Sequence, residues 1–320
     1  MKQVGICSMG ATAPKKVLNN FDLEKMVETT DEWIVTRTGI RERHILANDE
    51  RLVDLIVDSA RTACSKSNIS PDKLDFIISS TLTPDRISPA QAFEVAKELK
   101  ANNGFCLDIN AACSGFVYGL ALAESILKTR DVSYGLVTAG EQVSRLIDYN
   151  DRASCVLFGD GAAAMVVTNN NPEHLILHTE MGADPTLADE VVIGGLHTLI
   201  NENDRQKFYF RQNGQIVFRF AVSKIKELFQ SVPLKAGINP ADIRYVIPHQ
   251  ANMRIIEAAS KEIIKGKTEF ITNLEKYGNT SSASIGLAMN EAWPRFEKGD
   301  YILLIGFGAG LSWGAVLLQW

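Results

Sequence analysis

The chain repeats itself. Ser70-Pro71-Asp72-Lys73-Leu74-Asp75-Phe76-Ile77-Ile78 returns as Asn239-Pro240-Ala241-Asp242-Ile243-Arg244-Tyr245-Val246-Ile247, so position 70 corresponds to 239, an offset of 169. Ala121-Leu122-Ala123-Glu124 returns as Ala288-Met289-Asn290-Glu291 at an offset of 167, and Asp131 returns as Asp300. Phe158-Gly159-Asp160-Gly161 matches Phe307-Gly308-Ala309-Gly310, but the offset drops from 169 to 149, which leaves 20 extra residues in the first half around Glu141–Ser154. Four matches in one order point to duplication. They divide the 320 residues into halves, 1–170 and 171–320, that share one core.

Strand-like and helix-like runs alternate in both halves, which predicts an α/β chain with a largely parallel sheet. Leu74–Ser79, Gly104–Ile109, Ser133–Thr138 and Ala162–Val167 read as strands, and Ala90–Leu99 and Ser114–Lys128 as helices. Tyr301–Trp320 is uncharged and 20 residues long, the length of a membrane span. Gly306, Gly308, Gly310 and Gly314 interrupt it, so it reads as two buried strands, Ile302–Ile305 and Ala315–Leu318, around a glycine-rich turn. No signal peptide is evident. With 33 basic and 38 acidic residues the net charge is −5, which argues against nucleic acid as the partner. The five cysteines, Cys7, Cys64, Cys106, Cys113 and Cys155, form no C-x-x-C pair. Neither zinc nor a disulfide framework is expected, and a reducing cytoplasm is the simplest home. His174 and His178 share a face of a strand but lie about 13 Å apart, so they form no metal site.

Three residues could carry chemistry. Cys113 lies between a buried strand and an apolar helix, where a helix N-terminus favours a thiolate; the position also suits a core cysteine. His249 follows a strand end, where α/β proteins place functional groups; a core histidine would read the same. Asn279, preceding the second-half helix, could be an ordinary N-cap. Cys113 plus 167 is 280, next to Asn279, so the repeat brings both helix N-termini toward one central site. A nucleophile with two polar partners follows. A cysteine protease uses the same residue types, so the set alone leaves the reaction open.

Longer motifs narrow it. Ala112-Cys113-Ser114-Gly115, His249-Gln250-Ala251-Asn252-x-Arg254, Gly278-Asn279-Thr280-Ser281 and Phe307-Gly308-Ala309-Gly310-x-Ser312-Trp313-Gly314 resemble the β-ketoacyl-acyl-carrier-protein synthase III family, as does Asp31-Glu32-Trp33-Ile34-Val35-x-Arg37-Thr38-Gly39-Ile40. The resemblance spans essentially the whole chain. It implies the thiolase-like fold of the condensing enzymes, with duplicated βαβαβαββ halves in a five-layer α-β-α-β-α sandwich.

The resemblance also implies a reaction. Cys113 would take an acyl group from acyl-CoA. Decarboxylative Claisen condensation with malonyl-acyl carrier protein would follow, the first condensation of fatty acid synthesis. The backbone N–H groups of Cys113 and Ala309 would form the oxyanion hole, with Ala309 standing where the family commonly has glycine. His249 and Asn279 would stabilise the enolate. Trp33 and Arg37, four apart on a helix that Gly39 ends, would meet CoA together with Arg152, with Gly214 and Asn252 along the pantetheine channel. Phe158, Phe307, Ile87 and Ser88 would line the acyl pocket. Arg254, Arg219 and Lys261 would dock the acidic carrier protein. A cytoplasmic homodimer is expected, with no membrane or nucleic acid partner, and with CoA as substrate and no cofactor or metal.

Ser88 departs from the family, whose members often carry Phe there in a loop that closes the acyl pocket across the dimer. The small side chain suggests a starter other than acetyl, and keeps open a specialised condensing enzyme of quinolone, resorcinol or polyketide type. A dehydrogenase is excluded because Gly159-x-Gly161 and Gly308-x-Gly310 each precede a strand rather than a helix. A non-catalytic partner subunit should have lost a member of the Cys-His-Asn set, and this chain has not.

Overall fold

The computed structural model describes residues 2–200, 206–263 and 267–320. The first half contributes β1 (Gly5–Thr12), β2 (Phe76–Ser80), β3 (Phe105–Ile109), β4 (Tyr134–Glu141) and β5 (Gly161–Thr168). The second contributes β6 (His174–Ala183), β7 (Ile243–Pro248), β8 (Glu269–Phe270), β9 (Tyr301–Gly308) and β10 (Ser312–Gln319). The spatial orders are β3-β2-β4-β5-β1 and β8-β7-β9-β10-β6, the same plan twice. Strands β2, β3 and β4 are parallel, and β5 and β1 complete the half in antiparallel register. The second half repeats this pattern. The two halves join edge to edge through the antiparallel pairs Gly5↔Leu175 and Ile6↔His174.

Helix α1 (Asp31–Thr38) lies apart from the crossovers, which are α2 (Leu52–Ser67), α3 (Gln91–Leu99) and α4 (Gly115–Thr129). Their counterparts are α5 (Gly214–Lys235), α6 (Met253–Ile263) and α7 (Ala283–Ala292). Both halves therefore read βαβαβαββ. Side chains alternate across each sheet. Ile77 and Leu136 pack outward with Leu52, Ile56 and Val95 of α2 and α3. Ile78 and Val137 pack inward with Phe116 and Leu120 of α4, Ile285 and Met289 of α7, and Ile247, Leu304 and Val316 of the other half. Leu303, Ile305 and Leu317 face Ile225 and Leu228 of α5 and Ile255 of α6. The result is five layers, α-β-α-β-α, with α4 and α7 in the middle. Apolar residues surround both because each has a sheet on two sides.

The repeat is finer than the sequence match suggested. Ala112 and Ser281, 169 apart, are both non-glycine residues with positive φ, 46° and 50°. Each sits in the turn that opens a central helix. That register pairs Cys113 with Ser282 rather than with position 280, and Asn110 with Asn279. It also moves the Phe158 motif. Phe158 precedes β5 by three residues as Ala309 precedes β10, so Phe307 is not its counterpart. The surplus in the first half is the segment 142–160, against 309–311 in the second. The uncharged tail forms β9 and β10, each longer than the sequence pattern predicts. Among the described residues no helix is long and apolar enough to cross a membrane.

Close packing of the central layer has a measurable consequence. A Cβ on Gly286 of α7 would stand 2.3 Å from the Ala163 Cβ on β5. Gly286→Ala gains about 1 kcal/mol of helix propensity but overpacks a core contact at a cost of about 1–3 kcal/mol. The thermal midpoint should fall; a rise would show that the contact has slack.

Candidate active site

Residues of the two central turns face one another. In the first turn, Asn110 Oδ1 accepts from the Ala112 amide at 3.3 Å, and Cys113 follows at the approach to α4. In the second, Asn279 Oδ1 accepts from the Ser281 amide at 2.9 Å. The Asn279 backbone amide donates to Leu157 O at 2.8 Å. With Oδ1 engaged, the Nδ2 group of Asn279 is the available donor. Ser281 Oγ lies 3.4 Å from Cys113 Sγ. His249 continues from β7, its amide donating to Ile305 O at 2.8 Å. Its Nδ1 pairs with Ser284 Oγ at 2.7 Å, and Phe307 packs edge-on against its ring at 5.1 Å.

Burial sets the charge state of these groups. His249 is 2% exposed, and desolvation pushes its pKa down to about 3, partly offset by the Ser281 backbone. The imidazole is neutral. Burial pushes the Cys113 thiol up to about 12; the hydrogen bond it shares with Ser281 opposes this and the Glu141 charge adds to it. Desolvation thus opposes the thiolate that a helix N-terminus favours. Glu141, at the end of β4, is fully buried and pushed up to about 7, chiefly by desolvation.

The duplicated positions differ where it matters. Gly308 ends β9 as Glu141 ends β4. A Cβ on Gly308 would stand 2.7 Å from the Cys113 backbone nitrogen, so glycine leaves room for the nucleophile. In the other half Glu141 reaches Ser282, the counterpart of Cys113, whose Oγ donates to it at 2.7 Å. His249 with Ser284 likewise replaces Ser80 with Gly115, where a Cβ on Gly115 would fall 1.8 Å from Ser80 Oγ.

A channel joins these groups to the surface. Its mouth, about 180 Å³, is lined by Gly214, Asn252, Arg254 and Asn279. It narrows at Cys113, His249, Asn279, Phe307 and Ala309. Beyond Cys113 it opens into a chamber of about 440 Å³ lined by Leu82, Val143, Phe158, Val191 and Phe210.

Comparison with known proteins identifies the family. Residues 107–185 match the model for 3-oxoacyl-[acyl-carrier-protein] synthase III, and residues 234–320 match its C-terminal model. The β-ketoacyl-[acyl-carrier-protein] synthase III of Aquifex aeolicus is 43% identical over 98% of this chain and 99% of its own. The chain belongs to the β-ketoacyl-[acyl-carrier-protein] synthase III family. The solved structure of the A. aeolicus 3-oxoacyl-[acyl-carrier-protein] synthase III superposes with a TM-score of 0.92 at 42% identity, covering 99% of this chain and all of that one. The priming β-ketosynthase of the R1128 polyketide pathway superposes at 0.93 with 31% identity, covering 99% and 96%. Family membership makes this protein a condensing acyltransferase with a thiolase fold.

Each residue named from the synthase III resemblance can now be placed. Cys113, His249, Asn279 and Ala309 meet at the narrowing, with Phe158 and Phe307 beside them. Gly214, Asn252 and Arg254 meet at the mouth. Trp33 is half-buried on α1, whose N-cap Thr30 accepts from the Trp33 amide and which ends at Gly39 with φ 81°. Its partner is Arg152, whose guanidinium stacks 4.7 Å from the indole, rather than Arg37. Arg37 is exposed and its carbonyl accepts from Asn252 Nδ2 at 3.2 Å. Ile87 is 81% exposed and Ser88 is exposed. Neither lines the Cys113 chamber of its own chain. Arg219 and Lys261 are exposed on α5 and α6 and do not line the mouth. Sequence reasoning missed Glu141, Ser281 and Ser284. The one available signal was the repeat, which sets an acidic residue at 141 against the glycine at 308.

A neutral His249 has a clear signature. Its folded pKa lies below the ordinary value of 6.5, so the unfolded chain takes up the proton first. His249 therefore lowers stability as pH falls from 6.5 toward 3. Its imidazole NMR resonances should stay fixed between about pH 5 and 9. A midpoint near 6.5 would contradict the burial argument.

Proposed function

We propose that Cys113 accepts an acyl group from an acyl-CoA and passes it to malonyl carried on acyl carrier protein, giving a β-ketoacyl product and CO₂. The observation that supports this is the convergence of Cys113, His249, Asn279 and the 308–309 backbone at one narrowing of a surface channel. The thiol sulfur attacks the thioester carbonyl. The N–H groups of Cys113 and Ala309 donate to the oxyanion, and CoA departs. The acyl chain then occupies the apolar chamber past Cys113, with Phe158 as a wall and Phe307 at its neck. In the second step malonyl loses CO₂, and the resulting enolate attacks the acyl-cysteine carbonyl. Developing negative charge on the thioester oxygen is met by His249 and Asn279, both neutral donors. Such donors contribute about 3–4 kcal/mol each. Ser284 can donate to His249 Nδ1, which leaves Nε2 as the nitrogen that carries the proton.

Trp33, Arg37 and Arg152 receive the CoA nucleotide, and Gly214 and Asn252 flank its pantetheine arm. Coenzyme A enters as substrate; the enzyme uses no resident cofactor. Arg254 at the mouth, with Arg219 and Lys261 farther out, recruits the acidic carrier protein. A homodimer would cover the exposed Ile87 side chain and bring the Ser88 loop to the partner's acyl pocket. Five free cysteines are in keeping with a cytoplasmic location. The small Ser88 favours a starter longer than acetyl. The 31% identity to a polyketide priming ketosynthase makes a specialised pathway the second reading.

Mixing with acetyl-, octanoyl- or aryl-CoA should add one acyl mass at Cys113, and none after Cys113→Ala. Absence of an adduct with any of the three, or its survival in the variant, defeats the acyl-enzyme mechanism. A strong acetyl preference in turnover defeats only the starter assignment. Asn279→Asp sets a carboxylate against the enolate, so decarboxylation should fall at least about 100-fold while acyl transfer falls less. Equal losses in the two half-reactions would contradict this division of labour.

A further inference from the structure

One buried carboxylate near the nucleophile has no part in the steps above. Among the described residues Glu141 accepts only from uncharged groups. Thr83 Oγ1, the Leu82 amide and Thr81 Oγ1 donate to Oε2 at 2.7, 3.2 and 3.5 Å. Ser282 Oγ and Ser281 Oγ donate to Oε1 at 2.7 and 3.3 Å. Glutamine could tie the same segments together without the cost of burying an ionisable group, which is large unless the charge is paired. The position of Glu141 suggests what the ionisable group is for. Ser281 Oγ, 3.3 Å from Glu141, is also 3.4 Å from Cys113 Sγ. One hydroxyl thus bridges the nucleophile and the carboxylate.

We propose that Ser281 and Glu141 form a proton relay for Cys113. The inference rests on the acyl-transfer reading above. As the bond from Sγ to the acyl carbon forms, the thiol proton passes to Ser281 Oγ and the hydroxyl proton of Ser281 passes to Glu141 Oε1. When the bond from the acyl carbon to the CoA sulfur breaks, the proton returns through Ser281 to that sulfur. CoA leaves as a thiol, Glu141 is again a carboxylate, and no oxidation state changes. Glu141 touches no reacting atom; it acts through Ser281 and is a positioning residue.

The surroundings leave little else to take the proton. The titratable groups facing Cys113 are Glu141 from β4 and His249 after β7. The turn into α7 presents Ser281 and Ser282, and the end of β9 presents Gly308 and Ala309. Among the described residues no charged side chain lines the chamber or the narrowing. His249, with its pKa near 3, is a poor base. A carboxylate at its ordinary value near 4.3 would also be poor, but burial brings Glu141 up to about 7.

The test is alkylation of the full-length enzyme by iodoacetamide, followed at the Cys113 peptide by mass spectrometry across about pH 5.5 to 9. This probe needs no acyl-CoA, so failure of the acyl-donor reading would appear separately, as a missing acyl adduct. The unmutated enzyme should show a shoulder with a midpoint near 7. Glu141→Gln and Ser281→Ala should each remove the shoulder and slow alkylation at neutral pH about 100-fold. Glu141→Asp, which keeps a carboxylate, should retain it. Alanine is compatible with the Ser281 backbone, since Ala112 holds the related conformation at φ 46°. A native profile in either folded variant overturns the relay. So does an unmutated profile that rises through pH 7 with no shoulder, whatever the variants do.

Discussion

Two helices buried on every side govern this structure. Placing α4 and α7 between the sheets brings their N-termini, with unpaired N–H groups, toward the centre of the molecule. The outer helices of the first half have theirs closed by distant carboxylates. Asp85 accepts from the Leu52 and Val53 amides of α2 at 3.1 and 2.8 Å. Asp108 accepts from the Gln91 and Ala92 amides of α3 at 2.6 and 2.8 Å. The central pair have no side-chain cap. Their turns carry Cys113 and Ser281 instead. The left-handed residues at 112 and 281 cost of order 1 kcal/mol each, and the packed layer on either side holds them in place.

Duplication supplied two such turns, and function required them to differ. At the strand ends, one copy has Gly308 and the other Glu141. One opens space beside a thiol, and the other fills it with a carboxylate. At the helix starts, Gly115 and Ser284 play the same game with Ser80 and His249. Cys113 comes from the first half, and His249 and Asn279 come from the second. Neither half contains a complete site. The channel narrows where the two meet, so the geometry depends on the packing between halves as much as on any loop.

Much of this was legible in the sequence because it is local. Cys113, His249 and Asn279 each sit in a short motif at an element boundary, and the glycines of the tail distinguished a strand pair from a membrane span. The alternation of strand and helix runs showed the α/β class, and the five layers came with the resemblance to the synthase III family. What could not be read has partners far away. Glu141 is bound by residues 58 to 141 positions distant. Trp33 and Arg152, grouped at CoA by the resemblance, stack on one another although 119 positions separate them. The match of Phe158 to Phe307 failed because Phe158 itself lies within the surplus segment 142–160. The desolvation of Cys113 was hidden for a similar reason. Helix position is visible in a sequence, whereas desolvation is set by everything packed around the sulfur.

The strand order also sets a timetable during synthesis. β1 finds its neighbours only in β5 and β6, since Gly5 pairs with Thr168 on one side and Leu175 on the other. At ribosomal rates of about 5–20 residues per second, some 155 residues of chain separate these partners by roughly 8–30 s. For that interval an apolar strand, Gly5–Thr12, has left the ribosome with neither edge covered. An antiparallel neighbour close in sequence would have covered it at once. The layout that buries the central turns so deeply therefore leaves β1 without a partner strand for a long stretch of synthesis.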